Sequence, residues 1–522
     1  MTGTGVSQSV LSAIKTFLHH RSARIALAIV SGVLFYLTFD LNPWWPAAWL
    51  APVPVLLACL AAPAKEARWL AWLVPAIGVL SNFSYYLEVT GPLVTVVVTV
   101  LQVLMWGFLL LQARRALLLS RRWFVAFRFP TLVAALSTLV VSVSPHGAWG
   151  DLANSQAAAT PVIQIASLLG APAVVFVVML FASTTATAIH LGGSVDHPRA
   201  AYGLPALLVI GTIAFGVGRL ALAPEAAARV RVGLVSIDDF VGRRASPARV
   251  EEVWYGYEEG IAKLSSEGAR IVVLPEKIQA LTPDDAQQRQ RRMAEAARRS
   301  GVYLVVGAQI DRDPSHARGR KDNVAWLIDP AGAVMAEYRK QQLVPRLEGD
   351  LTPGHEDVVE SIALTGQDSV RVGLVICRDL LFPQLGRRYG NLGATALLVP
   401  AWDFHRDAWM ASSIAALRGV ENGYAVVRAG RESYLNVSDR YGRVLGRRRS
   451  ALFPGTSLVA DVPMGPPEPT IYTRIGDVFG LLCVVASAAW LVIRGVAPHQ
   501  ATARPSPPRS PQPRSRPEPP AE

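Results

Sequence analysis

Charged residues are scarce in this chain of 522 residues, making up 17% of it, while 51% is hydrophobic. Soluble domains average about a quarter charged residues, so part of this chain is expected to lie in lipid. Its formal net charge is nevertheless +12. Because most of the excess lies in short segments between apolar runs and in the C-terminal tail, it predicts an orientation in a membrane and no nucleic-acid partner.

Cysteine is also rare, with three residues in the chain. Cys59 and Cys483 lie inside apolar runs, where cysteine usually packs as a small hydrophobic residue. Cys377 is the only one in the charged part, so a disulfide framework within that part is excluded. No histidine and cysteine cluster has the spacing of metal ligands. We therefore expect neither a metal nor another cofactor.

Long apolar stretches are present instead, and stretches of about 20 residues are typical of membrane-spanning helices. Seven precede residue 225 and an eighth follows residue 470, at residues 24–40, 44–62, 69–88, 92–112, 129–146, 160–186, 203–222 and 474–494. Further spans follow the first one and no small-residue cleavage site accompanies it, so it is not interpreted as a signal peptide. The chain is predicted to contain a polytopic helical membrane domain with about eight spans.

The loops between these stretches alternate in charge. Lysine or arginine occurs before the first stretch and in every second loop after it, whereas residues 41–43, 89–92 and 147–160 contain neither. The positive-inside rule then places the N-terminus in the cytoplasm. Seven crossings put the segment after residue 225 on the outer face, and the eighth returns the C-terminus to the cytoplasm.

Between residues 229 and 463 the pattern changes to short apolar runs that alternate with amphipathic stretches. Such alternation is typical of a layered α/β domain. The predicted organisation is a transmembrane domain of seven helices at 1–225, an α/β domain at 229–463, a last span at 474–494 and a Pro/Arg-rich tail at 497–522. The tail has no apolar run and is expected to be disordered.

Three chemically useful side chains follow predicted strands of this domain. Glu276 comes directly after Ile271-Val-Val-Leu-Pro, Cys377 ends the run that begins at Val372, and Lys340 follows a short strand pattern. Sites in α/β domains gather at the carboxyl ends of strands. A carboxylate can take the proton of a thiol as general base, and an ammonium group can stabilise an oxyanion.

Each of these residues also has an ordinary explanation. A buried cysteine often serves packing alone, Glu276 beside Lys277 is compatible with a solvated loop, and Lys340 lies next to polar residues that suggest a surface. Spacing by itself leaves both interpretations open.

Longer motifs decide between them. The order LPE at 274–276, YRK at 338–340, LVP at 343–345 and a strand ending in Cys377 resembles the nitrilase superfamily with its Glu-Lys-Cys triad. In the membrane half, Pro145-His-Gly-Ala-Trp-Gly150 and Asn154-Ser-Gln156 are similar to apolipoprotein N-acyltransferases, as is the order of seven spans, one nitrilase-like domain and a last span. The resemblance covers the chain to about residue 495.

The resemblance implies a nitrilase-like four-layer α-β-β-α sandwich and an N-acyltransferase of the bacterial inner membrane, with the catalytic domain on the periplasmic face. The acyl chain of a phospholipid would pass to Cys377 as a thioester and then to the α-amino group of a diacylglyceryl-cysteine lipoprotein. Glu276 would be the general base, Lys340 the oxyanion stabiliser and Glu348 a supporting acid. The protein is expected to act as a monomer.

Several positions around the site depart from the family pattern. Arg378 and Asp379 replace a Tyr-Glu pair, Trp402 lies in a stretch that differs from the family's, and Gly430-Arg-Glu432 replaces Asn-Thr-Gly. We expect Arg378, Asp379 and Trp402 to bind substrate or support the site. The alternatives are a membrane-bound carbon–nitrogen hydrolase (an amidase), an acyltransferase with another amine acceptor, and a catalytically inactive relative.

Overall fold

The computed structural model describes residues 13, 16–224, 229–242, 245–313, 320–363 and 369–496. The predicted disordered tail, 497–522, lies outside the described residues.

The N-terminal half is helical throughout the described residues. Its α-helices are α1 (Arg21–Phe39), α2 (Trp45–Leu50), α3 (Pro52–Ala61), α4 (Ala64–Gly78), α5 (Leu80–Thr90), α6 (Pro92–Leu119), α7 (Arg128–Val143), α8 (Thr160–Ile163), α9 (Ala166–Leu169), α10 (Ala171–Leu191) and α11 (Pro198–Ala221). Short 3-10 helices precede α7 at Trp123–Phe127, α8 at Leu152–Gln156 and α11 at Gly192–Ser194.

The predicted span at 44–62 consists of α2 and α3 on either side of Ala51, and two further predicted spans are broken in the structure. The span at 69–88 consists of α4 and α5, which meet at 56° shortly after Pro75, a residue that cannot donate the helical hydrogen bond. The predicted start of the span at 160–186 is wrong, because the long helix begins only at Ala171. Gly170 has φ 77°, and a Cβ there would lie 2.5 Å from the ring of Tyr472, so the helix is interrupted where only glycine fits.

Among the described residues, five helical segments are long and apolar enough to cross a membrane: α1, α6, Trp123–Val143, Ala171–Ser194 and α11. The bent pair of α4 and α5 is a sixth if it counts as one span. The apolar helices Trp45–Ala61, Thr160–Leu169 and Val478–Val492 are shorter. A helical region with several candidate spans is therefore present, whereas eight spans are not confirmed and stay a prediction.

Residues 229–463 form the α/β domain, with two sheets. Its strands are β1 (Arg229–Ser236), β2 (Ile271–Val273), β3 (Ala280–Leu281), β4 (Tyr303–Asp311), β5 (Lys321–Ile328), β6 (Val334–Arg339), β7 (Val358–Ala363), β8 (Ser369–Leu374), β9 (Ala396–Trp402), β10 (Ala425–Arg431), β11 (Tyr434–Ser438), β12 (Val444–Arg449) and β13 (Thr456–Pro463). The helices are α12 (Pro247–Ser266), α13 (Pro283–Ser300), α14 (Pro383–Asn391) and α15 (Ala408–Asn422), and α16 (Ile471–Ile475) and α17 (Val478–Val496) follow the domain.

One sheet has the strand order β13-β1-β2-β4-β5-β6, with β3 beside β4, and the other has β12-β11-β10-β9-β8-β7. Side chains of both sheets, such as Val232, Val305, Val372 and Leu398, share one core cluster. The outer face of the first sheet packs against α12 and α13, and that of the second against α14 and α15. Because each sheet is apolar on both faces, the layers stack as helix, sheet, sheet, helix, which confirms the predicted four-layer sandwich.

The two halves of the chain contact each other at several places, one of which is the turn that follows β8. The backbone N–H of Ala148 donates to the carbonyl of Leu381 over 2.8 Å, and a Cβ on Gly147 would lie 2.5 Å from the same oxygen. Gln164 Nε2 donates to the carbonyl of Tyr441 over 2.9 Å. The loop between α7 and α8 thus lies directly against the segment that carries Cys377.

Candidate active site

Glu276 lies in a tight loop after β2 and is 2% exposed. The loop packs so closely on β4 that a Cβ on Gly307 would lie 2.3 Å from the carbonyl oxygen of Pro275. Ile278 N donates to the Gly307 carbonyl over 3.1 Å, and Lys277 takes a left-handed conformation with φ 49°. Close packing and backbone hydrogen bonds therefore fix the carboxylate, and the solvated-loop interpretation of Glu276 is wrong.

Lys340 is the residue after β6, and its side chain is 1% exposed. Its Nζ atom lies 2.8 Å from Glu276 Oε1 and 3.0 Å from Glu348 Oε2. Asn323 on β5 donates from Nδ2 to Glu276 Oε1 over 2.6 Å. Lys340 is thus a buried cation between two carboxylates, and the surface interpretation is wrong for it as well.

Cys377 begins a 3-10 helix after β8, and its φ of 46° lies in the left-handed region. Non-glycine residues in this region are uncommon and occur often at functional sites. The thiol donates a hydrogen bond to the carbonyl oxygen of Trp402 over 3.4 Å, and Asp403 Oδ1 lies 3.9 Å from Sγ. The residue as a whole is only partly buried.

Electrostatics set the charge state of this cluster. Burial and then the Glu276 carboxylate raise the pKa of Cys377 above its usual range, and Lys340 opposes them. Burial alone would lower the pKa of Lys340, but Glu276 and Glu348 outweigh it and raise that pKa. Burial also disfavours the Glu348 anion, yet Lys340 and Lys277 lower its pKa to about 2. The resting site therefore holds a neutral thiol beside a permanent cation.

Two buried acceptors in this cluster, Glu276 Oε2 and Asn323 Oδ1, have no hydrogen-bond partner among the described residues. Glu276 Oε1, in contrast, binds Lys340 and Asn323. A buried carboxylate oxygen without a partner is costly and is typical of a functional group awaiting its reactant. Oε2 is available to accept the proton of a thiol.

Asp379 and Arg378 have contacts inside the protein. Asp379 is fully buried and accepts hydrogen bonds from Tyr338 Oη over 2.7 Å, Ile376 N over 2.9 Å and Gln342 N over 2.8 Å. It therefore links the Cys377 turn to the chain on either side of Lys340. Burial raises the pKa of Asp379 to about 6, against these hydrogen bonds.

Arg378 reaches the membrane half of the chain. Its guanidinium group donates to the carbonyl of Pro145 and lies 3.3 Å from His146 Nδ1. The residue beside Cys377 therefore holds the loop between α7 and α8. A role of Arg378 and Asp379 toward substrate stays a prediction.

Two buried cations near the site were missed in the sequence. Lys277 donates to Glu348, and its position next to Glu276 suggested solvent instead. Arg431 is fully buried, lies 3.6 Å above the Trp402 ring and donates to the carbonyl of Lys277 over 3.1 Å. The sequence pointed to Arg431 only through Gly430-Arg-Glu432, which replaces the family's Asn-Thr-Gly. Trp402 contacts Cys377, and Lys277 follows Glu276 in the chain. Arg431 therefore connects the surroundings of the thiol to the loop that carries Glu276.

Comparisons with known proteins match this architecture. Residues 31–184 match the model of the apolipoprotein N-acyltransferase N-terminal domain, and residues 241–451 match that of the carbon-nitrogen hydrolase family. An apolipoprotein N-acyltransferase of Geobacter metallireducens is 28% identical over 503 residues, which are 88% of this chain and 93% of the relative. The chain therefore combines an apolipoprotein N-acyltransferase N-terminal domain with a carbon-nitrogen hydrolase domain.

Other relatives fall into two groups. An apolipoprotein N-acyltransferase of Bradyrhizobium diazoefficiens is 27% identical over 394 residues, covering 67% of this chain and 70% of the relative. A 2-oxoglutaramate amidase of Bacillus subtilis is 29% identical over 170 residues, covering 30% of this chain and 61% of the amidase. The long matches are with N-acyltransferases, and the amidase match is confined to part of the chain. The family resemblance and the nitrilase-like fold are thereby confirmed.

Proposed function

We propose that this protein is an apolipoprotein N-acyltransferase that works through a Glu276-Lys340-Cys377 triad. The observation that carries the proposal is the position of the Cys377 turn, which bonds to the membrane half through Arg378 and Leu381. A nucleophile held against membrane helices suits a substrate that resides in lipid. The family match over 88% of the chain supports the same activity.

In the first half-reaction, Cys377 attacks the ester carbonyl of a phospholipid acyl chain. The thiol proton passes to the unpartnered Oε2 of Glu276 as the S–C bond forms. Lys340 stabilises the negative oxygen, since its two carboxylate neighbours keep it protonated. The C–O bond then breaks, the glycerol oxygen of the lysophospholipid takes the proton, and a thioester remains on Cys377.

In the second half-reaction, the α-amino nitrogen of a diacylglyceryl-cysteine lipoprotein attacks the thioester carbonyl. Glu276 accepts a proton from the attacking amine and returns it to the departing sulfur, so that an amide forms and the thiol is restored. Glu348 supports this cycle by fixing Lys340, and Trp402 by accepting the hydrogen bond of the resting thiol. No cofactor takes part, and one chain is proposed to suffice.

An amidase of the membrane is the second candidate, favoured by the partial match to a 2-oxoglutaramate amidase. The two functions differ in what attacks the thioester, water or a lipid-borne amine. The loop between α7 and α8 packs over the Cys377 turn, and shielding a thioester from water favours transfer over hydrolysis.

The acyl-enzyme should therefore be stable until an amine arrives. Purified protein loaded with phospholipid is mixed with a diacylglyceryl-cysteine peptide, and the products are separated by mass spectrometry. We expect the peptide with a free amino terminus to gain an amide-linked acyl chain, and an N-acetylated control peptide to gain none. Rapid release of free fatty acid in both samples would contradict the transferase and support the amidase.

The same assay tests the substrate role predicted for Arg378 and Asp379. The double substitution Arg378→Tyr with Asp379→Glu should alter discharge to the peptide more than formation of the thioester. Equal losses in both steps would instead indicate that these residues only hold the Cys377 turn in place.

We also propose that the catalytic domain faces the periplasm from the bacterial inner membrane, with both termini in the cytoplasm. The alternating loop charges support this orientation. Reporter fusions that need an oxidising compartment should be active at residue 300 and silent at residue 118. The reverse pattern of activity would contradict the orientation.

A further inference from the structure

A small cleft with unpaired polar atoms lies among the membrane helices, far from Cys377. It encloses about 370 Å³ including its open mouth, between α6, α7 and α17. The lining residues are Gln112, Ala113, Ala116, Arg128, Phe129, Leu132, Ser487, Trp490 and Leu491. Arg128 begins α7, and the other end of that helix leads to the loop against the Cys377 turn. Sixteen helical residues span about 24 Å, so the cleft is at the opposite end of the membrane half.

Three polar atoms of this cleft have no partner among the described residues. Arg128 Nε and Nη1 and Ser487 Oγ are all buried and unbonded, and the Ser487 residue is 5% exposed. An unpaired buried donor is unfavourable, and more so when it is charged. Three such atoms on two helices around one cleft indicate a ligand that accepts hydrogen bonds.

The guanidinium group is held in place before any ligand arrives. Arg128 Cζ lies 5.6 Å from the centre of the Phe124 ring and 5.8 Å from that of Trp490. An arginine at a membrane interface usually extends freely toward the headgroups. Here two of its nitrogens are enclosed by protein instead, so the side chain is fixed as a recognition group and not as a loose anchor.

The charge of the cleft selects an anion. None of the lining residues is acidic, and Arg128 is the one charged residue among them. Leu491 lines the cleft and is exposed, and Leu119 and Val492 are exposed on the same two helices, α6 and α17. A phosphate group beside Arg128 would accept its hydrogen bonds, and the acyl chains of the same lipid would cover the exposed apolar side chains.

We propose that this cleft binds one phospholipid through its headgroup phosphate, at a site separate from the catalytic one. Arg128 donates from Nε and Nη1 to the phosphate oxygens, and Ser487 donates from Oγ. Because α7 and α17 both contribute, the bound lipid joins the last span to the preceding helices. With the orientation proposed above, it belongs to the cytoplasmic leaflet and is not an acyl donor.

Native mass spectrometry of the full chain can test the proposal. The Cys377→Ala form is titrated with palmitoyl-oleoyl phosphatidylglycerol, and the bound lipids are counted. Arg128→Gln should weaken one binding event at least about tenfold, the size expected for a lost charged hydrogen bond. Ser487→Ala should weaken the same event a few-fold, and the exposed control Arg122→Gln should leave it unchanged.

Two competitors distinguish other occupants. Palmitoyl-oleoyl glycerol has the same chains without phosphate, and its equal binding would reduce the site to an apolar groove. Displacement by millimolar inorganic phosphate would indicate a site for free anions. Equal lipid binding by wild type, Arg128→Gln and Ser487→Ala would overturn the proposal. Arg128→Lys retains the positive charge, so it should bind better than Arg128→Gln and thereby separate lost binding from misfolding.

Discussion

Replacing Cys377 with alanine is expected to remove every trace of a phospholipid-derived acyl adduct and to lower transferase activity at least about 1000-fold. The thiol is the proposed site of the covalent bond, and residual turnover without a nucleophile is small for enzymes of this type. Wild-type protein incubated with phospholipid should gain the mass of one acyl chain. Neutral hydroxylamine should remove that mass, because it cleaves thioesters.

The chain provides matched controls for this experiment. Cys59 on α3 and Cys483 on α17 are buried, and both lie outside the α/β domain that contains Glu276 and Lys340. Cys59→Ala and Cys483→Ala should therefore keep the adduct in full. An adduct that survives in Cys377→Ala would contradict the assignment of Cys377 as the nucleophile. Loss of the adduct in Cys483→Ala would indicate that Cys483 is the nucleophile instead.

Much of this site followed from one structural rule. Glu276 and Cys377 each follow a buried strand rich in β-branched residues, whose ends can be recognised in the sequence. Functional residues in α/β domains often lie at the carboxyl ends of such strands. The order of the acid, the lysine and the thiol along the chain then matched a family pattern. The four-layer arrangement was expected from the same resemblance. In the structure it forms because both sheets are apolar on both faces.

The supporting residues could not be predicted in the same way. Asn323 reaches Glu276 only because β5 pairs with β4 in antiparallel register, and that pairing leaves no mark on a single asparagine. Lys277 was misinterpreted because a lysine beside a glutamate usually lies in solvent. Here a positive φ of 49° turns its side chain inward to Glu348.

Weakly apolar strands were missed for a physical reason. Two of them, β7 and β12, are only partly buried, and their polar composition resembles loops. Such strands are defined by pairing with a neighbour more than by their own residues. The division of the predicted spans depends likewise on local breaks at Pro75 and Gly170, which hydropathy averages do not resolve.

Glu276→Gln and Lys340→Met are each expected to slow formation of the acyl-enzyme at least about 100-fold. Base catalysis and oxyanion stabilisation each contribute about this much in enzymes. Glutamine keeps the size of the side chain and an oxygen for Lys340 but does not take up the thiol proton. Methionine fills the space of the lysine but leaves the developing oxyanion without its cation. Single-turnover loading with phospholipid, followed over time by mass spectrometry of the intact protein, measures the rate of acyl-enzyme formation in both variants.

Stability must be separated from chemistry in these variants, because both residues belong to one buried ion cluster. Removing one member of such a cluster can cost about 3–5 kcal/mol. Lys277→Met is the matched control, since Lys277 also pairs with Glu348 but has no hydrogen bond to Glu276. It should lose comparable stability in thermal melts while keeping acyl loading within about tenfold. If Lys277→Met slowed loading as much as Lys340→Met, the loss would come from the cluster as a whole and Lys340 would have no separate role in catalysis.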